Sequence, residues 1–159
     1  MPKVITLAEV IAEVESSNDQ FAIRYEPVVH LRFKNMDSDD DDYYILEDIM
    51  IRNNCNLSTA CVLAAMSFGK YQIMGENLYD NQIKTTLNVV SYCGDEEAQD
   101  EAFERFIAGI GFTSDLPFFS ISNEDRLKFA THYNGPGNPE AYVKAMNKAY
   151  VDLGVSTMK

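Results

Sequence analysis

The sequence has little of three things: cysteine, positive charge and long apolar stretches. Its three cysteines, Cys55, Cys61 and Cys93, are an odd number without the spacing of a metal site, which predicts free thiols rather than a disulfide framework. Thirteen lysine and arginine residues stand against 25 acidic ones, so the net charge is −12. A chain this acidic is not expected to have nucleic acid or an anionic membrane as its main partner.

No apolar run approaches the roughly 20 residues of a membrane-spanning helix, so we expect no membrane insertion. The first residues do not resemble a signal peptide, because Glu9, Glu13 and Glu15 interrupt their apolar positions and no small-residue cleavage site follows. We therefore expect synthesis in the cytoplasm. The 159 residues, 46% of them hydrophobic and without repeat or linker, predict a single domain over residues 1–159.

The first helix carries a candidate acid at its end. Thr6 and Glu9 have the spacing of a capping box, and Leu7, Val10, Ile11 and Val14 follow at helical spacing. On a helical wheel, Glu15 falls at the edge of this apolar stripe, in the last turn. Partial desolvation raises the pKa of a carboxyl group, as a general acid requires. From this helix alone, however, a solvated helix-end glutamate is the favoured interpretation.

A second candidate carboxylate follows a short strand. Phe21, Ile23 and Tyr25 alternate with other residues, which predicts a strand, and Pro27 ends the alternation. Glu26 thus lies at a strand end, where it can face Glu15 across a cleft.

An acidic run occupies residues 36–42. Asp37, Asp39 and Asp41 alternate as in a calcium loop, and Asp48 stands near the position of the last ligand. However, Asp42 replaces the glycine that the sharp turn of such a loop requires. A solvated acidic loop is the favoured interpretation, and no metal site or cofactor is predicted.

The rest of the chain predicts short helices, so the expected fold class is α+β, mainly α, with a small β element near the N-terminus. The expected helices cover residues 43–54, with Tyr44, Ile45, Ile49 and Met50 inward; a segment from Ser58 through Met66; one marked by Ile83, Leu87 and Val90; one opened by Asp95 and closed by Gly111; one opened by Ser122 with Asp125; and a last one from Asn138 and Pro139, with Tyr142, Val143, Met146, Ala149 and Tyr150 inward and Gly154 after it.

The stretch AAMSFGKYQIMG, residues 64–75, does not fit this pattern. It begins as a helix and turns at Ser67, Phe68 and Gly69, and the polar Gln72 then lies between bulky groups and two glycines. Such a mixture is untypical of a surface loop and of a core strand, so it indicates a functional segment.

Five segments in order resemble one known family. They are VESS, IRYEP, AAMSFGKYQIMG, DEAFERFI and FATHYNGPGNPEAYVKAMNKAY, and together they span nearly the whole chain. They are similar to the N-acetylmuramidase domain of bacteriophage endolysins, within the lysozyme-like superfamily. The resemblance implies a lysozyme-like helical domain that hydrolyses peptidoglycan at the β-1,4 bond from N-acetylmuramic acid to N-acetylglucosamine.

The resemblance also implies site residues. It makes Glu15 the general acid, Glu26 the base or electrostatic stabiliser, and Tyr133 a third catalytic residue that orients a water or steadies the sugar. In lysozyme-like folds the 64–75 turn lines the floor of the sugar groove. Ser67 and Gln72 would then bind substrate or hold the acid carboxyl, with Tyr71 and Asn134 at the groove or its flanking turn. His30 and His132 are expected to be structural.

Three alternatives stay open. A lytic transglycosylase on the same fold uses one glutamate and the muramic acid's own hydroxyl in place of water. A non-catalytic, lysin-like virion or structural protein would hold glycan without cutting it. An active domain can also work inside a phage particle or secretion assembly whose partners supply targeting, or reach the cell wall as an endolysin released by a holin.

Overall fold

A computed structural model describes residues 4–156 of the chain. Its helices are α1 (Leu7–Ser16), α2 (Pro27–Lys34), α3 (Tyr43–Asn53), α4 (Leu57–Ala64), α5 (Gly75–Tyr79), α6 (Val89–Cys93), α7 (Glu96–Ala108), α8 (Asn123–Tyr133) and α9 (Pro139–Ser156). The strands are β1 (Ile23–Tyr25), β2 (Met66–Phe68) and β3 (Ile73–Met74), and a 3₁₀ turn covers Phe118–Ser120. The prediction of a mainly α, α+β lysozyme-like fold is confirmed.

Helix α1 begins as its sequence predicts and lies at the centre of the core. Thr6 and Glu9 form the capping box. Leu7, Val10 and Ile11 are completely buried, so the apolar stripe of the helix is what fixes its orientation. Helix α1 packs against α9, which in turn packs against α8.

The segment after α4 is a β-hairpin rather than a helix end followed by a turn. Strand β2 pairs antiparallel with both β1 and β3, in the order β1-β2-β3. Arg24 lies opposite Ser67, and Ser67 lies opposite Met74. The prediction that a helix runs through Met66 is therefore wrong. Strand β1, whose residues precede their β2 partners by 41 to 45 positions, offers this segment backbone partners that a local pattern does not reveal.

Two other helix predictions need correction at their boundaries. Helix α4 is capped by Asn56, whose side chain accepts a hydrogen bond from the N–H of Thr59, so Ser58 lies inside the helix instead of capping it. Asn56 can take the N-cap position because asparagine is at least as favourable there as serine. The helix marked by Ile83, Leu87 and Val90 starts only at Val89, after the cap Asn88, and Ile83 is a buried turn residue.

The C-terminal helices follow the predicted caps closely. Asp95 caps α7 and Ser122 caps α8 through their side chains. Helix α7 ends at Ala108, and Gly111 adopts a left-handed φ of 86° just beyond it. Helix α9 continues through Gly154, which was expected to follow the helix, and ends at Ser156.

Three further predictions concern the acidic run, the cysteines and membrane-spanning helices. Residues 37–42 are exposed and form the turn before α3. All three cysteines are free thiols, as expected. Among the described residues, no helix has the length and apolar character that crossing a membrane demands.

Candidate active site

The end of α1 is tied directly to the β2–β3 loop. Ser17 and Asn18 both adopt left-handed backbone angles, which stop the helix and reverse the chain. The Ser16 hydroxyl donates to the backbone oxygen of Lys70 at 2.9 Å and accepts from the N–H of Asp19 at 3.0 Å. Glu15 is therefore held one residue from a rigid junction between helix and hairpin.

Glu15 is a partly buried carboxyl group with one phenol partner. The Tyr142 hydroxyl of α9 donates to its Oε1 atom at 2.6 Å. Burial raises the pKa of Glu15 above its ordinary value, while the Tyr142 hydrogen bond and the positive charge of Arg24 act in the opposite direction. The net upward shift makes Glu15 a carboxyl group that can keep its proton closer to neutral pH than an exposed glutamate does.

Arg24 acts on both candidate carboxyl groups. Its Nε lies 3.0 Å from Oε1 of Glu26, and both side chains are about half exposed. Its charge also opposes the rise that burial causes in the pKa values of Glu15 and Tyr142. Strand β1 thus places Arg24 in contact with Glu26 and within electrostatic reach of Glu15. Joint action of the two carboxyl groups stays a prediction.

Tyr133, at the end of α8, lies in the same neighbourhood. Its hydroxyl donates to the backbone oxygen of Tyr71 at 2.7 Å, and its ring stacks on Phe129 at a centroid distance of 5.0 Å. Burial raises the pKa of Tyr133 strongly, and the Glu15 charge adds to this. Tyr133 therefore joins α8 to the hairpin loop beside Glu15.

The polar side chains of Ser67 and Gln72 form hydrogen bonds within the hairpin and with the segment that precedes β1. Ser67 is completely buried and donates to Oε1 of Gln72 at 2.8 Å. The Nε2 of Gln72 donates to the backbone oxygens of Ala22 and Gly69, both at 3.0 Å. These bonds support the left-handed φ of 52° at Gln72. Within residues 4–156 no hydrogen bond joins either side chain to Glu15, and their binding of substrate stays a prediction.

The other two predicted binding residues differ in exposure. Tyr71 is buried, stacks on Phe103 at 4.1 Å, and its hydroxyl donates to Asp100 at 2.6 Å. Asn134 is exposed directly after α8, and its N–H donates to the backbone oxygen of Ala130. The structure thus gives Tyr71 a packing environment and leaves Asn134 open to solvent beside Tyr133.

Gln99 is a structural residue that the sequence analysis missed. It is completely buried in α7, where its Oε1 accepts from the N–H of Lys70 at 2.8 Å. Its Nε2 donates to the backbone oxygens of Gln20, Tyr92 and Cys93. A Cβ atom added to Gly69 would lie 2.3 Å from Gln99 Oε1, so this contact explains why the loop holds a glycine there.

Two functional candidates, Tyr142 and Arg24, were also missed. The apolar pattern predicts only that Tyr142 faces inward, although a buried phenol in an apolar helix face needs a polar partner. Arg24 stands two residues before Glu26 in a strand, which places both side chains on one side. No sequence signal connects either residue to Glu15.

Comparisons with known proteins identify the family of the chain. The sequence model of the Muramidase family, described as N-acetylmuramidase, matches residues 44–154, a region that excludes Glu15 and Glu26. A protein named endolysin from Enterobacteria phage PRD1 is 36% identical over 151 residues, covering 94% of this chain and 97% of the relative. No solved structure matches significantly. The chain therefore belongs to the N-acetylmuramidase family of peptidoglycan-directed glycoside hydrolases.

Proposed function

We propose that the chain cleaves the β-1,4 bond between N-acetylmuramic acid and N-acetylglucosamine, with Glu15 as the general acid. The observation that carries this proposal is the partly buried Glu15 carboxyl group, whose raised pKa favours the protonated form. Tyr142 occupies Oε1, so Oε2 is the oxygen that delivers the proton to the leaving glycosidic oxygen.

Glu26 supplies the second carboxylate. Glycoside hydrolysis passes through a transition state with positive charge on the sugar ring, which a nearby carboxylate stabilises directly or by activating water. The ion pair with Arg24, whose charge also acts on Glu15, supports a shared site for the two carboxyl groups. A direct catalytic role of Tyr133, on a water or on the sugar, stays a prediction. Its hydroxyl donates to Tyr71 and so positions the hairpin loop.

The lytic transglycosylase mechanism is the second candidate function. It needs Glu15 but no second carboxylate, because the muramic acid's own hydroxyl replaces water. The half-exposed Arg24–Glu26 ion pair favours the transglycosylase mechanism, because a carboxylate that is paired with a guanidinium is less available as a base.

The proposal also covers the place of action. Peptidoglycan is the substrate, and the chain reaches the bacterial cell wall either as an endolysin released by a holin or as a component of a phage particle. The similarity to a phage endolysin over nearly the whole chain supports action on the cell wall.

Mass spectrometry of peptidoglycan fragments tests the proposal, with wild type and Glu15→Gln compared after circular dichroism has shown that both are folded. Reducing muramic acid ends from wild type, lost in the variant, are the expected result. Anhydromuramic ends would establish the transglycosylase, and reducing N-acetylglucosamine ends would contradict the bond assignment. If folded wild type released no fragments, the chain would be a non-catalytic glycan-binding protein.

A further inference from the structure

The connection between α1 and β1 joins the two proposed catalytic carboxyl groups but has little apolar support. It covers residues 17–22, with Glu15 before it and Glu26 after it. None of the described residues 13–32 is fully buried, and the apolar side chains among them are partly or largely exposed. Burial of apolar side chains therefore does not fix this segment, and its position depends on hydrogen bonds to buried parts of the fold.

Gln99 of α7 makes one of these hydrogen bonds from the core. Its side chain is completely buried, on a helix whose Phe103 and Ile107 are also completely buried. Its Nε2 donates to the backbone oxygen of Gln20, in the middle of the connection, at 3.1 Å. It also donates to the backbone oxygen of Cys93 at 3.1 Å, and Nε2 of Gln20 donates to this same oxygen at 3.4 Å. The two amides therefore tie the connection to α7 and to the end of α6.

The same Gln99 amide also holds the hairpin loop that reaches back to α1. Its Oε1 accepts from the N–H of Lys70 at 2.8 Å. The backbone oxygen of Lys70 in turn accepts from the hydroxyl of Ser16, the residue after Glu15, at 2.9 Å. Gln99 thus reaches the connection directly through Gln20, and it reaches the end of α1 through Lys70.

Backbone strain in the connection makes this support necessary. Ser17 and Asn18 have left-handed φ angles of 54° and 61°, which residues other than glycine adopt at a cost in energy. Such conformations persist only where the surrounding structure imposes them. Both side chains are exposed, so they do not anchor the turn by packing. The hydrogen bonds at Ser16 and Gln20, on either side of the turn, connect it to the hairpin loop and to α7.

We propose that Gln99 is a positioning residue, which holds the end of α1 so that the Glu15 carboxyl group is directed at the glycosidic oxygen. This rests on the proposed function, in which Glu15 is the general acid. Gln99 acts through Gln20 and Lys70 and does not touch the reacting atoms. Since a misplacement of about 1 Å at a catalytic site can cost about 10²-fold in rate, loss of the Gln99 amide should lower kcat more than it changes KM.

Gln99→Met tests this inference, because methionine has a similar length and volume but cannot form these hydrogen bonds. Initial rates on soluble, uncross-linked peptidoglycan should show kcat lowered about 10- to 100-fold and KM changed less than about threefold. Asn53→Leu is the matched control, since its amide forms hydrogen bonds with Ile49, Tyr79 and Val89. The control should lose similar stability in thermal unfolding and keep kcat within about threefold of wild type.

Amide hydrogen exchange, read by mass spectrometry, shows where the variant loosens the protein. Peptides that cover residues 16–22 and 69–72 should exchange faster in Gln99→Met than in wild type, whereas peptides of α3 should be unchanged. Faster exchange in all helices alike would indicate a general loss of stability, and that result would overturn the inference.

Two results of the rate measurement would also overturn it: a kcat for Gln99→Met no lower than for Asn53→Leu, or a change confined to KM. If Gln99→Met does not fold, Ser16→Ala decides, because it removes the hydrogen bond to Lys70 at the other end of the link. A lowered kcat in Ser16→Ala then supports the inference, and an unchanged kcat overturns it.

Glu15→Gln, measured beside these variants, keeps the two proposals apart. If Glu15→Gln is inactive while Gln99→Met retains the kcat of the control, only the positioning role fails. If Glu15→Gln cuts as fast as wild type, the proposed function fails.

Discussion

Tyr142 in the last helix donates a hydrogen bond to Glu15 at the end of the first helix, across 2.6 Å of space and 127 residues of sequence. Tyr142 is 7% exposed, so this phenol has few alternative partners. A hydrogen bond donated to a carboxylate favours its ionised form, and here it limits how far burial raises the pKa of Glu15.

Replacing Tyr142 with phenylalanine removes the hydrogen bond that limits the rise in the pKa of Glu15. The pKa of Glu15 should rise further, so the acid keeps its proton to higher pH and the alkaline limb of the pH–activity profile on peptidoglycan should move upward. Loss of a buried hydrogen bond should also cost about 1 kcal/mol of unfolding free energy. Tyr79→Phe, which loses a hydroxyl bonded to Asn53 and Leu87 far from Glu15, should lower stability similarly without moving the profile. An unmoved profile in Tyr142→Phe would contradict the coupling.

Glu15→Gln should lower the rate of peptidoglycan cleavage by about 10²–10⁴-fold, because glutamine has no proton to transfer. Gln retains an acceptor for Tyr142, so the fold should be kept. Turbidity loss of a cell-wall suspension measures the rate, and near-normal lysis by the variant would exclude Glu15 as the acid.

The same substitution should raise stability at neutral pH. The folded-state pKa of Glu15 lies above the ordinary value of 4.5, so its contribution to stability is present below that value and is lost as the pH rises through the folded pKa. Gln cannot ionise and avoids this loss. Thermal unfolding should therefore show Glu15→Gln above wild type at pH 7, with the gap closing below about pH 4; a gap that is constant with pH would contradict the raised pKa.

Glu26→Gln should separate the two mechanisms. Its ion pair with Arg24 is half exposed, so the unfolding free energy should change by less than about 1 kcal/mol. Activity should fall by about 10²-fold if Glu26 stabilises the transition state. Glu101→Gln, which loses an exposed pair with Arg105, is the control and should retain activity. A loss below about threefold in Glu26→Gln would instead support the transglycosylase mechanism.

Gly69→Ala should be more destabilising than Gly111→Ala. Both glycines have left-handed φ angles, 78° and 86°, where alanine costs about 1 kcal/mol or slightly more. A Cβ at Gly111 meets nothing within 4 Å, but at Gly69 it would lie 2.3 Å from Gln99 Oε1. Urea unfolding should therefore show an additional loss of about 1–3 kcal/mol at Gly69, and equal losses would mean that Gln99 moves aside freely.

The sequence by itself determined the local elements. Caps and periodic apolar residues fixed the start of α1, α7 and α8, and Pro139 began α9, because these signals act within one or two helical turns. The ordered motifs identified the family correctly. Glu15 and Glu26 were also singled out from sequence, and the structure brings Arg24 into contact with Glu26 and into the field of Glu15.

Only the tertiary structure decided the rest. Residues 66–74 form two strands because β1, distant in sequence, supplies hydrogen-bond partners. Gln99 is buried where its side-chain amide forms hydrogen bonds with three separate segments of the chain. The partner of Glu15 proved to be Tyr142 rather than Ser67 or Gln72, whose bonds stay within the sheet and its loops. Hydrogen bonds between residues far apart in sequence depend on how whole helices pack, and no local pattern encodes them.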